Sequence, residues 1–488
     1  MAARRPVANR EDALLALSLS FADVEGDGDL DAALGNWAAG WYRRIPGEEA
    51  RNRIVFNAAG GLTGETYSDL RGIPGETLSI LFSDLDQDGA IDLLVGNDFE
   101  IPDYFYFGDG RGGFDPVTFQ DGRIEHTTTT TMALKTADLD NDLDFEIYAA
   151  QIAGRSDGVS ERLRMRPIAR YCEGIEREQD RAICQRNIDI KRWYRSGHSF
   201  DPAYAGRCAR MEGRYREECR AMLVKDLAIQ NRDPAICAMI PVAQPRVRQL
   251  CDIHFQPPRP VTPAEEDAAI AQINGRNVLL VADGQGVYSD EAEARGVEVG
   301  GWSWDVKIAD FDNDGWQDIY IVNGTWVPNE ITPSNIFLKN DGSGHFTEET
   351  ESFGLTDFLM TAAAVAADLD HDGDLDMITV PVNAPTIAFI NNSQDGHAIA
   401  FRLEDAIGNR FGVGARIEIE TGSGRQIREI QSGGGFMSFE APVAHFGLGA
   451  HTVVEAVTVH WSDGSRTRIE EPLEAGATYT ITRGGPPA

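Results

Sequence analysis

The sequence predicts a mainly β fold in which small antiparallel sheets repeat around an axis, a β-propeller. Two recurring signals carry this prediction. Nine-residue loops rich in aspartate recur along the chain, and each is followed by a run of apolar and β-branched residues. Later in the same units, an Asn or Asp precedes a strand, a glycine turn and an aromatic residue. Units of about 60 residues hold enough short strands for four-stranded blades.

The aspartate-rich loops, numbered here as Asp loops 1 to 5, share acidic residues at positions 1, 3, 5 and 9. They cover residues 23–31, 84–92, 138–146, 310–318 and 368–376. Their starts lie 61, 54, 172 and 58 residues apart, so one interval is longer by about two repeats. Position 12 of loop 4 is Ile321, inside a strand-like run. This excludes an EF-hand, which needs glutamate at that position and a helix on each side.

Closely spaced carboxylates, with a carbonyl near position 7, can supply the oxygen ligands that calcium prefers. The sequence therefore predicts four or five structural calcium ions. An acidic turn without metal is the alternative, but uncompensated carboxylates so close together would repel one another. The candidate ligands are Asp23, Glu25, Asp27, Asp31, Asp84, Asp86, Asp88, Asp92, Asp138, Asp140, Asp142, Glu146, Asp310, Asp312, Asp314, Asp318, Asp368, Asp370, Asp372 and Asp376.

Loop 3 departs from the pattern in two places. Leu143 stands at position 6, where the other four loops have glycine, and Glu146 stands at position 9. A residue with a side chain resists the positive φ that such a turn needs, so calcium binding by loop 3 stays open. In loop 5, His371 is expected to face solvent instead of binding a cation.

The two signals together resemble a known repeat family. The second signal reads DYFYFGDGRGGF from residue 103, NVLLVADGQGVY from 277 and NIFLKNDGSGHF from 335. With the Asp loops, it resembles the FG-GAP or VCBS repeats of integrin-like β-propellers, and residues 301–324 look like the repeat of the cartilage acidic protein group. The resemblance implies a propeller with five visible blades and up to seven in all. It also implies a secreted, calcium-binding interaction protein more readily than an enzyme.

The C-terminal part resembles a second domain family. The segments that carry this resemblance, similar to the ASPIC/UnbV domain, are residues 409–415, 431–435, 446–449 and 457–461. Alternating residues and glycine turns after residue 395 predict a small β domain. The two resemblances cover most of the chain outside residues 155–265.

Residues 155–265 differ in kind, since periodic Arg, Glu, Ile and Leu replace strand-like alternation. All six cysteines lie here in three near-repeats, which predict helical hairpins closed by the pairs Cys172–Cys184, Cys208–Cys219 and Cys237–Cys251. Six cysteines allow fifteen pairings, so the sequence leaves the connectivity open. Zinc is the alternative, although no pair has C-x-x-C spacing.

We therefore predict four segments. The first part of the propeller covers residues 1–154, and its second part covers residues 266–394. The α-helical, cysteine-containing insertion at 155–265 separates them and interrupts a single repeat. The ASPIC/UnbV-like β domain covers residues 395–488.

Charge and the N-terminal sequence bear on partners and location. The formal net charge is −34, and 23 of the 78 acidic residues lie in the Asp loops, so nucleic acid is not expected as a partner. No apolar run is long enough to span a membrane. The N-terminal residues carry no usable signal peptide. Cysteines and calcium nevertheless favour an extracellular or periplasmic location, which a leader missing from this sequence or a start codon assigned too late would reconcile.

Aromatic and polar residues are predicted to gather at the end of the propeller opposite the Asp loops. The candidate ligand-binding residues are Trp37, Trp41, Asp98, His126, Trp302, Trp304 and Trp326. A funnel of this kind could bind a glycan or peptide by stacking and hydrogen bonds. The alternative is that the tryptophans pack between blades.

Two functions remain open from the sequence. The first, which the sequence favours, is a calcium-stiffened recognition or adhesion scaffold for a protein or glycan. The alternative is a lyase, dehydratase or oxidoreductase acting on a carbohydrate or small molecule in the funnel under the helical insertion. The enzyme would need a His, Tyr or Lys to converge with an acid near an open metal position at the funnel, and His126 with Asp98, Glu100 or Asp103 is the nearest candidate set. No G-x-S-x-G or H-E-x-x-H motif is present.

Overall fold

The structure is a computed structural model. The residues that it describes are 16–37, 50–58, 61–62, 64, 66–98, 101–152, 165–167, 170, 172–173, 177–179, 181–182, 185, 206, 208–256, 260–267, 269–324, 331–382, 384–393, 396–406 and 408–484. Contacts divide the chain into two compact units. The larger unit contains the strands and residues up to 167, 261–324 and 331–488, whereas the smaller contains 168–260 and 325–330.

Strands dominate the larger unit. Those up to residue 152 are β1 (Ala16–Ala22), β2 (Asp31–Asn36), β3 (Arg53–Val55), β4 (Tyr67–Asp69), β5 (Thr77–Ser83), β6 (Asp92–Asn97), β7 (Tyr104–Gly108), β8 (Phe114–Pro116), β9 (Thr127–Thr128), β10 (Thr131–Ala137) and β11 (Glu146–Gln151). Those from 165 to 389 are β12 (Met165–Pro167), β13 (Gln272–Ile273), β14 (Val278–Ala282), β15 (Tyr288–Asp290), β16 (Ser303–Ala309), β17 (Asp318–Asn323), β18 (Ile331–Pro333), β19 (Ile336–Asn340), β20 (Phe346–Glu348), β21 (Thr361–Ala367), β22 (Asp376–Pro381) and β23 (Ile387–Phe389). The C-terminal strands are β24 (His397–Glu404), β25 (Arg416–Thr421), β26 (Gly424–Glu429), β27 (Ala444–Gly449), β28 (Val453–Val454), β29 (Ala456–His460), β30 (Arg466–Ile469), β31 (Leu473–Glu474) and β32 (Thr478–Thr482).

Five antiparallel sheets, numbered here 1 to 5, each contain one Asp loop. Their strand orders are β1-β2-β3-β4, β5-β6-β7-β8, β10-β11-β14-β15, β16-β17-β19-β20 and β21-β22-β23. In every sheet the Asp loop joins the first and second strands, and these strands shift register near the start of the first. In sheet 3, β11 pairs with β14, so the intervening 126 residues (152–277) are inserted between the second and third strands.

Consecutive sheets pack against one another and share apolar cores. First strands are neighbours in chain order, β1 with β5, β5 with β10, β10 with β16 and β16 with β21. The core between sheets 1 and 2, for example, combines Ile54 with Leu93, and the core between sheets 4 and 5 combines Phe337 with Met377. Full burial of each such side chain stabilises the fold by roughly 1.5–3 kcal/mol. The predicted mainly β class is therefore confirmed.

Side-chain oxygens clamp the second and third strands at both ends of a sheet. At the end holding the Asp loop, the position-9 carboxylate accepts a hydrogen bond from the third strand, as Asp318 does from the Asn340 N–H at 2.9 Å. At the opposite end, the Asn or Asp before the third strand accepts one from the end of the second strand. Asn277 bonds the Gln151 N–H at 3.0 Å in this way. The second sequence signal thus marks a clamp that fixes the pairing of these strands.

The C-terminal residues form a separate β domain within the larger unit. Its sheets have the orders β27-β24-β32, β26-β25-β29-β30 and β28-β31. They enclose one apolar core, in which Phe401, Phe446 and Trp461 are almost completely buried. The small C-terminal β domain that the sequence predicts is therefore present.

One segment of the C-terminal domain, residues 431–440, runs across the first strands of sheets 1 to 4, and we call it the crossing segment. The Ser432 carbonyl accepts hydrogen bonds from Phe21 N–H and Ser20 Oγ in sheet 1. The Gly434 N–H donates to the Ile80 carbonyl of sheet 2, and its carbonyl accepts from Leu134 N–H of sheet 3. Gly434 has φ +76, and a Cβ there would lie 2.3 Å from the Leu134 carbonyl oxygen. Glycine is required because no side chain fits between the strands.

The crossing segment ends in a buried charge network. Glu440 pairs with Lys135 of sheet 3 at 3.2 Å and with Lys307 of sheet 4 at 2.7 Å. Lys307 also contacts Asp305 at 3.2 Å, and Ser438 donates to the same Asp305 carboxylate. Two ammonium groups are therefore balanced by two carboxylates, so the charges are compensated inside the unit.

The smaller unit is helical. Its elements are α1 (Gly213–Asn231), a 3-10 helix (Pro234–Met239) and α2 (Pro245–His254). Disulfides join Cys208 to Cys219 and Cys237 to Cys251, as predicted, whereas Cys184 of the third predicted pair lies outside the described residues. Among the helices that the structure describes, none is both long and apolar enough to cross a membrane. Two short helices, α3 (Pro263–Asp267) and α4 (Ala292–Arg295), and a 3-10 turn (Phe119–Asp121) belong to the larger unit.

Replacement of Glu440 by Gln should remove a pH-dependent part of the stability. Burial raises the pKa of Glu440, but the charges of Lys135 and Lys307 outweigh burial and lower that pKa from 4.5 to about 2. Because the folded pKa is depressed, the contribution is complete above about pH 4.5 and is lost as the pH falls toward 2. Urea unfolding should show E440Q less stable than the parent by up to about 3 kcal/mol near pH 7, with the difference fading in acid.

The exposed Glu470 provides the control, since its side chain is 82% exposed. Glu470→Gln should leave the free energy of unfolding within about 0.5 kcal/mol of the parent at every pH. A constant E440Q penalty from neutral pH down to about pH 2 would contradict the charge network.

Candidate metal centres

Carboxylates converge in four of the five Asp loops. In loops 2 to 5, the acidic residues at positions 1, 3 and 9 bring one oxygen each within 4.8 Å of the other two. The triads are Asp84, Asp86 and Asp92; Asp138, Asp140 and Glu146; Asp310, Asp312 and Asp318; and Asp368, Asp370 and Asp376. Twelve of the twenty predicted ligands therefore meet in four sets that could hold metal ions.

The remaining predicted ligands lie outside these triads. Among the described residues, Asp23, Glu25 and Asp31 of loop 1 form no comparable triad. The position-5 residues Asp27, Asp88, Asp142, Asp314 and Asp372 bond the backbone instead: Asp314, for example, accepts from the Trp316 N–H at 3.0 Å. This bond is the Asx turn that aspartate makes with the residue two positions on.

Backbone amides hold the loop carboxylates in place. In loop 4, Asp310 at position 1 accepts from the N–H groups of Asp314 and Gly315 at 3.1 and 2.8 Å. In all five loops the position-9 carboxylate accepts from the position-2 N–H at 2.7 to 3.2 Å. Carboxylates at spacings 1 and 9 therefore fold the nine residues into a closed loop, since they satisfy amides that the turn would otherwise leave unpaired.

Asp138 in loop 3 has carboxylate oxygens that the described residues leave without hydrogen bonds. The side chain is buried, and neither oxygen accepts a hydrogen bond from them. The charge of Arg428 and the amide of Leu143 lower the pKa of this carboxyl, but burial outweighs them. A buried carboxylate without partners is costly, and the usual solution is a cation. The residues present therefore fit a hard, oxygen-preferring metal ion.

Burial also raises the pKa of several triad carboxyl groups in loops 2 to 4. The pKa is raised to about 7 for Asp84, Asp138 and Asp310, and to about 8 for Asp92. Burial is the largest cause, and neighbouring loop carboxylates raise these values further. These four carboxyl groups hold a proton more strongly than an ordinary aspartate does, so cation binding to them near neutral pH is expected to release protons.

Loop 3 adopts the same turn as its neighbours despite lacking the glycine. Leu143 has φ 78, close to the values of 93 to 99 at Gly89, Gly315 and Gly373. Leu143 therefore adopts the positive φ that its side chain was expected to resist. The bonds of the surrounding loop hold Leu143 there at a cost of about 1–2 kcal/mol.

Protein cations lie against loops 2, 3 and 4, and no local sequence pattern predicts them. Arg295 contacts Asp140 of loop 3 at 3.0 Å. Lys339 pairs with both Asp312 and Asp314 of loop 4. These side chains supply part of the positive charge that the carboxylates need.

The C-terminal domain lies over the Asp loops. Arg416 contacts Asp84 of loop 2 at 2.9 Å, and the Gly449 N–H donates to the Asn313 carbonyl of loop 4 at 2.7 Å. His445 contacts the Gly373 carbonyl of loop 5 at 3.0 Å. A Cβ at Gly408 would lie 2.8 Å from the carbonyl oxygen of Gly28 in loop 1. This domain therefore covers the end of the sheets where the candidate metal centres lie.

Three of the predicted ligand-binding tryptophans come together at the opposite end. Trp37 and Trp302 are partly buried and pack against a cluster that contains Trp304 and Phe436. Trp304 is only 2% exposed, and its ring centroid lies 5.4 Å from that of Phe436 in the crossing segment. Trp304 is thus a packing residue, as the alternative interpretation expected. Trp41 and Trp326 lie outside the described residues.

His126 pairs with an acid outside the candidate set of the enzyme hypothesis. Its Nε2 lies 2.8 Å from Asp290, which also pairs with Arg276 at 2.5 Å. Asp103 instead accepts hydrogen bonds from the hydroxyl groups of Thr127 and Thr131. Asp98 is buried, and Glu100 lies outside the described residues. Asp290 at the end of β15 takes the imidazole, and the anticipated pairing of His126 with Asp98 or Glu100 stays a prediction.

Comparison with known families supports the resemblance described above. Residues 406–487 match the family described as "ASPIC and UnbV". This match shows that the C-terminal β domain is an ASPIC/UnbV domain, as predicted.

The chain is also similar to cartilage acidic protein 1. It is 27% identical to the Mus musculus protein over 178 residues and 29% identical to the Homo sapiens protein over 166 residues. These alignments cover 35% and 33% of this chain and only 27% and 25% of the relatives. The Xenopus tropicalis protein is 25% identical over 271 residues, covering 42% of this chain and 40% of the relative. The predicted resemblance to this group is confirmed.

Two solved structures are distantly similar. The V. cholerae biofilm matrix protein Bap1 matches with TM-score 0.32 and 9% identity, covering 96% of this chain and 60% of that protein. The exotype rhamnogalacturonan lyase YesX matches with TM-score 0.29 and 11% identity, covering 96% and 62%. Neither likeness carries an argument about function.

Replacement of Asp138 by Asn should have opposite effects with and without metal. With calcium present, the variant should bind one ion fewer, because one carboxylate of the loop 3 triad is lost. In chelator it should be more stable than the parent by about 1–3 kcal/mol, because an unpartnered buried carboxylate is removed. Urea unfolding and ion counting by native mass spectrometry measure both effects.

Asp115→Asn is the matched control, because the Asp115 side chain is 89% exposed and lies outside the loops. It should change neither the ion count nor the stability in chelator. An undiminished ion count in D138N would remove loop 3 from the candidate metal centres.

Proposed function

We propose that this protein is a calcium-stabilised β-propeller that works outside the cytoplasm as a recognition or adhesion scaffold for a protein or glycan. The observation that carries the metal assignment is Asp138, a buried carboxylate whose two oxygens accept no hydrogen bond from the described residues inside a triad of acids. All three ligand groups of each triad are carboxylates. Oxygen-only ligand sets suit calcium or magnesium and disfavour zinc, which takes nitrogen and sulfur.

The succession of sheets supports a propeller. First strands that neighbour one another in chain order, with apolar cores between consecutive sheets, are what radial repetition of blades requires. Calcium in the Asp loops would stiffen the turn between the first and second strands of each blade. Its role in this proposal is structural, and no chemical step depends on it.

Two features support a location outside the cytoplasm. The helical unit contains at least two disulfides, which persist in oxidising compartments. Structural calcium sites of modest affinity also fill readily at extracellular calcium concentrations. The similarity to cartilage acidic protein 1 is compatible with this location.

The recognition surface in this proposal lies at the end of the sheets opposite the Asp loops, because the C-terminal domain covers the loop end. Trp37 and Trp302 stand there over the buried pair Trp304 and Phe436. Large aromatic side chains on a rigid support suit stacking against sugar rings or apolar side chains of a peptide.

Removal of calcium should destabilise the folded protein. At a free calcium concentration one hundred times Kd, each filled site adds about 2.7 kcal/mol to the free energy of unfolding. We expect about four ions per chain, matching the four triads, and a lower Tm in EDTA than in calcium. Native mass spectrometry and thermal melts measure these quantities. Purified protein that binds no calcium and melts at the same temperature in EDTA would refute the calcium assignment.

Replacement of Trp37 by Ala should weaken partner binding without affecting the metal centres. Glycan and protein arrays probed with the calcium-loaded chain identify ligands, and loss of a central aromatic contact should weaken the best of them about tenfold or more. Phe411→Ala in the C-terminal domain, where the side chain is 51% exposed, is the control. Ligands that bind both variants equally would place the recognition surface elsewhere.

A further inference from the structure

The Asp loops are linked to one another by the residue at position 4. This position has a left-handed backbone in loops 2 to 5, with φ of 57 at Gln87, 56 at Asn141, 59 at Asn313 and 66 at His371. Asparagine tolerates this conformation better than most residues with a side chain. The left-handed turn leaves the side-chain amides of loops 2, 3 and 4 free to reach the next loop.

Each of these amides bonds the next loop near its turn. Gln87 Nε2 donates to the Leu143 carbonyl, which is position 6 of loop 3. Asn141 Nδ2 donates to the Gly315 carbonyl, position 6 of loop 4, at 3.1 Å. Asn313 Nδ2 donates to Asp374 Oδ1, position 7 of loop 5, at 2.6 Å. The same position in three successive loops therefore forms a chain of contacts running from loop 2 to loop 5.

The bonds reach the part of the loop that holds the candidate ligands. In loop 4, Gly315 bonds Asn141 of loop 3 through its carbonyl, and its N–H donates to the triad residue Asp310 at 2.8 Å. Position 6 also precedes position 7, whose carbonyl is an expected calcium ligand. A movement of loop 3 is thus passed to the ligands of loop 4 through a single residue.

Further bonds run in the opposite direction between the same loops. Gln317 of loop 4 donates to the Asp138 carbonyl at 2.9 Å, and Asn340 of β19 donates to the Leu139 carbonyl at 2.7 Å. Asn391, which follows β23, donates to the Phe311 carbonyl of loop 4 at 2.7 Å. Loops 3 and 4 are therefore bonded in both directions, so neither can change its backbone independently of the other.

Loop 1 lacks this link, because its position 4 is Gly26, which has no side chain. It is also the loop without a triad among the described residues. The linked loops and the loops with converged carboxylates are thus the same four.

From these contacts we propose that calcium binding to loops 2 to 5 is positively cooperative, with Gln87, Asn141 and Asn313 as the positioning residues that couple neighbouring sites. This inference rests on the proposed calcium binding and adds how the sites communicate. An ion that orders one loop also orders the linked backbone of the next, so the second ion binds an already arranged loop. The effect is reciprocal, and such couplings typically change affinity about 5- to 150-fold.

The test is a calcium titration of the full chain, followed by calorimetry and native mass spectrometry. The parent should show a Hill coefficient clearly above about 1, with chains carrying one or two ions scarce at half saturation. The double variant Asn141→Gly/Asn313→Gly keeps residues that accept positive φ but removes both amides. It should bind the same final number of ions with a lower Hill coefficient, since Gln87 still links loops 2 and 3, and its overall affinity should be about 5-fold or more weaker.

His371→Gly is the matched control. It changes the same position with the same backbone conformation, and the exposed His371 side chain donates no described hydrogen bond to another Asp loop. It should leave the isotherm cooperative. If the double glycine variant folds poorly, Asn141→Asp provides a second test, because it keeps the side-chain shape and replaces the amide donor by an acceptor.

The outcomes separate the two proposals. Calcium uptake that is non-cooperative in the parent, or equally cooperative in the double variant, would overturn the coupling and leave calcium binding intact. No calcium uptake by the parent would overturn the proposed function and the coupling with it.

Discussion

The fold depends on carboxylates that are buried inside its turns and hydrogen-bonded to the backbone. The position-9 acid is the clearest case, because one of its oxygens bonds the position-2 amide of its own loop. In sheets 1, 2, 4 and 5, the other oxygen bonds a backbone N–H at the end of the third strand or just after it. Removing a carboxylate from water costs several kcal/mol, and backbone amides offset only part of that cost. The same carboxylates therefore determine the loop geometry, the strand pairing and the need for positive charge.

The chain meets that demand from several sources. Arg295, Lys339 and Arg416 contact loop carboxylates directly, and the amides of each loop bond its own acids. Neither oxygen of Asp138 accepts a hydrogen bond from the described residues, so this carboxylate has the greatest need of a metal ion. The C-terminal domain supplies one of these positive charges through Arg416, which contacts Asp84. The ASPIC/UnbV domain and the repeats therefore stabilise each other.

The sequence predicted what depends on local spacing. Carboxylates at positions 1, 3 and 9, the strands that follow them, and the pairs Cys208–Cys219 and Cys237–Cys251 all lie within short stretches of chain, so their spacing reports their geometry. Even the amides at position 4 form a visible pattern, Gln87, Asn141 and Asn313. Their partners in neighbouring loops were not visible, since each contact joins residues more than fifty positions apart.

The crossing segment shows the limit most clearly. Its glycines predict only turns from the sequence, although Gly434 is glycine because strands from sheets 2 and 3 leave no room for a Cβ. The hydrogen bond from the Leu134 N–H to the Gly434 carbonyl joins residues 300 positions apart, and neither local sequence predicts it. The pairing of His126 with Asp290 was not predictable for the same reason, because the two residues lie 164 positions apart.

The insertion point in sheet 3 bears on how such a chain could diversify. The strands that flank the 126 inserted residues pair directly, and Asn277 bonds the Gln151 N–H across the junction. The two stems of the inserted segment are thus fixed side by side by the sheet itself. The entropic cost of closing a loop grows only slowly with its length. The stability of the host sheet therefore depends little on the length of the inserted segment. Evolution or an engineer could exchange the part of this segment that belongs to the smaller unit while the sheet and its clamp persist.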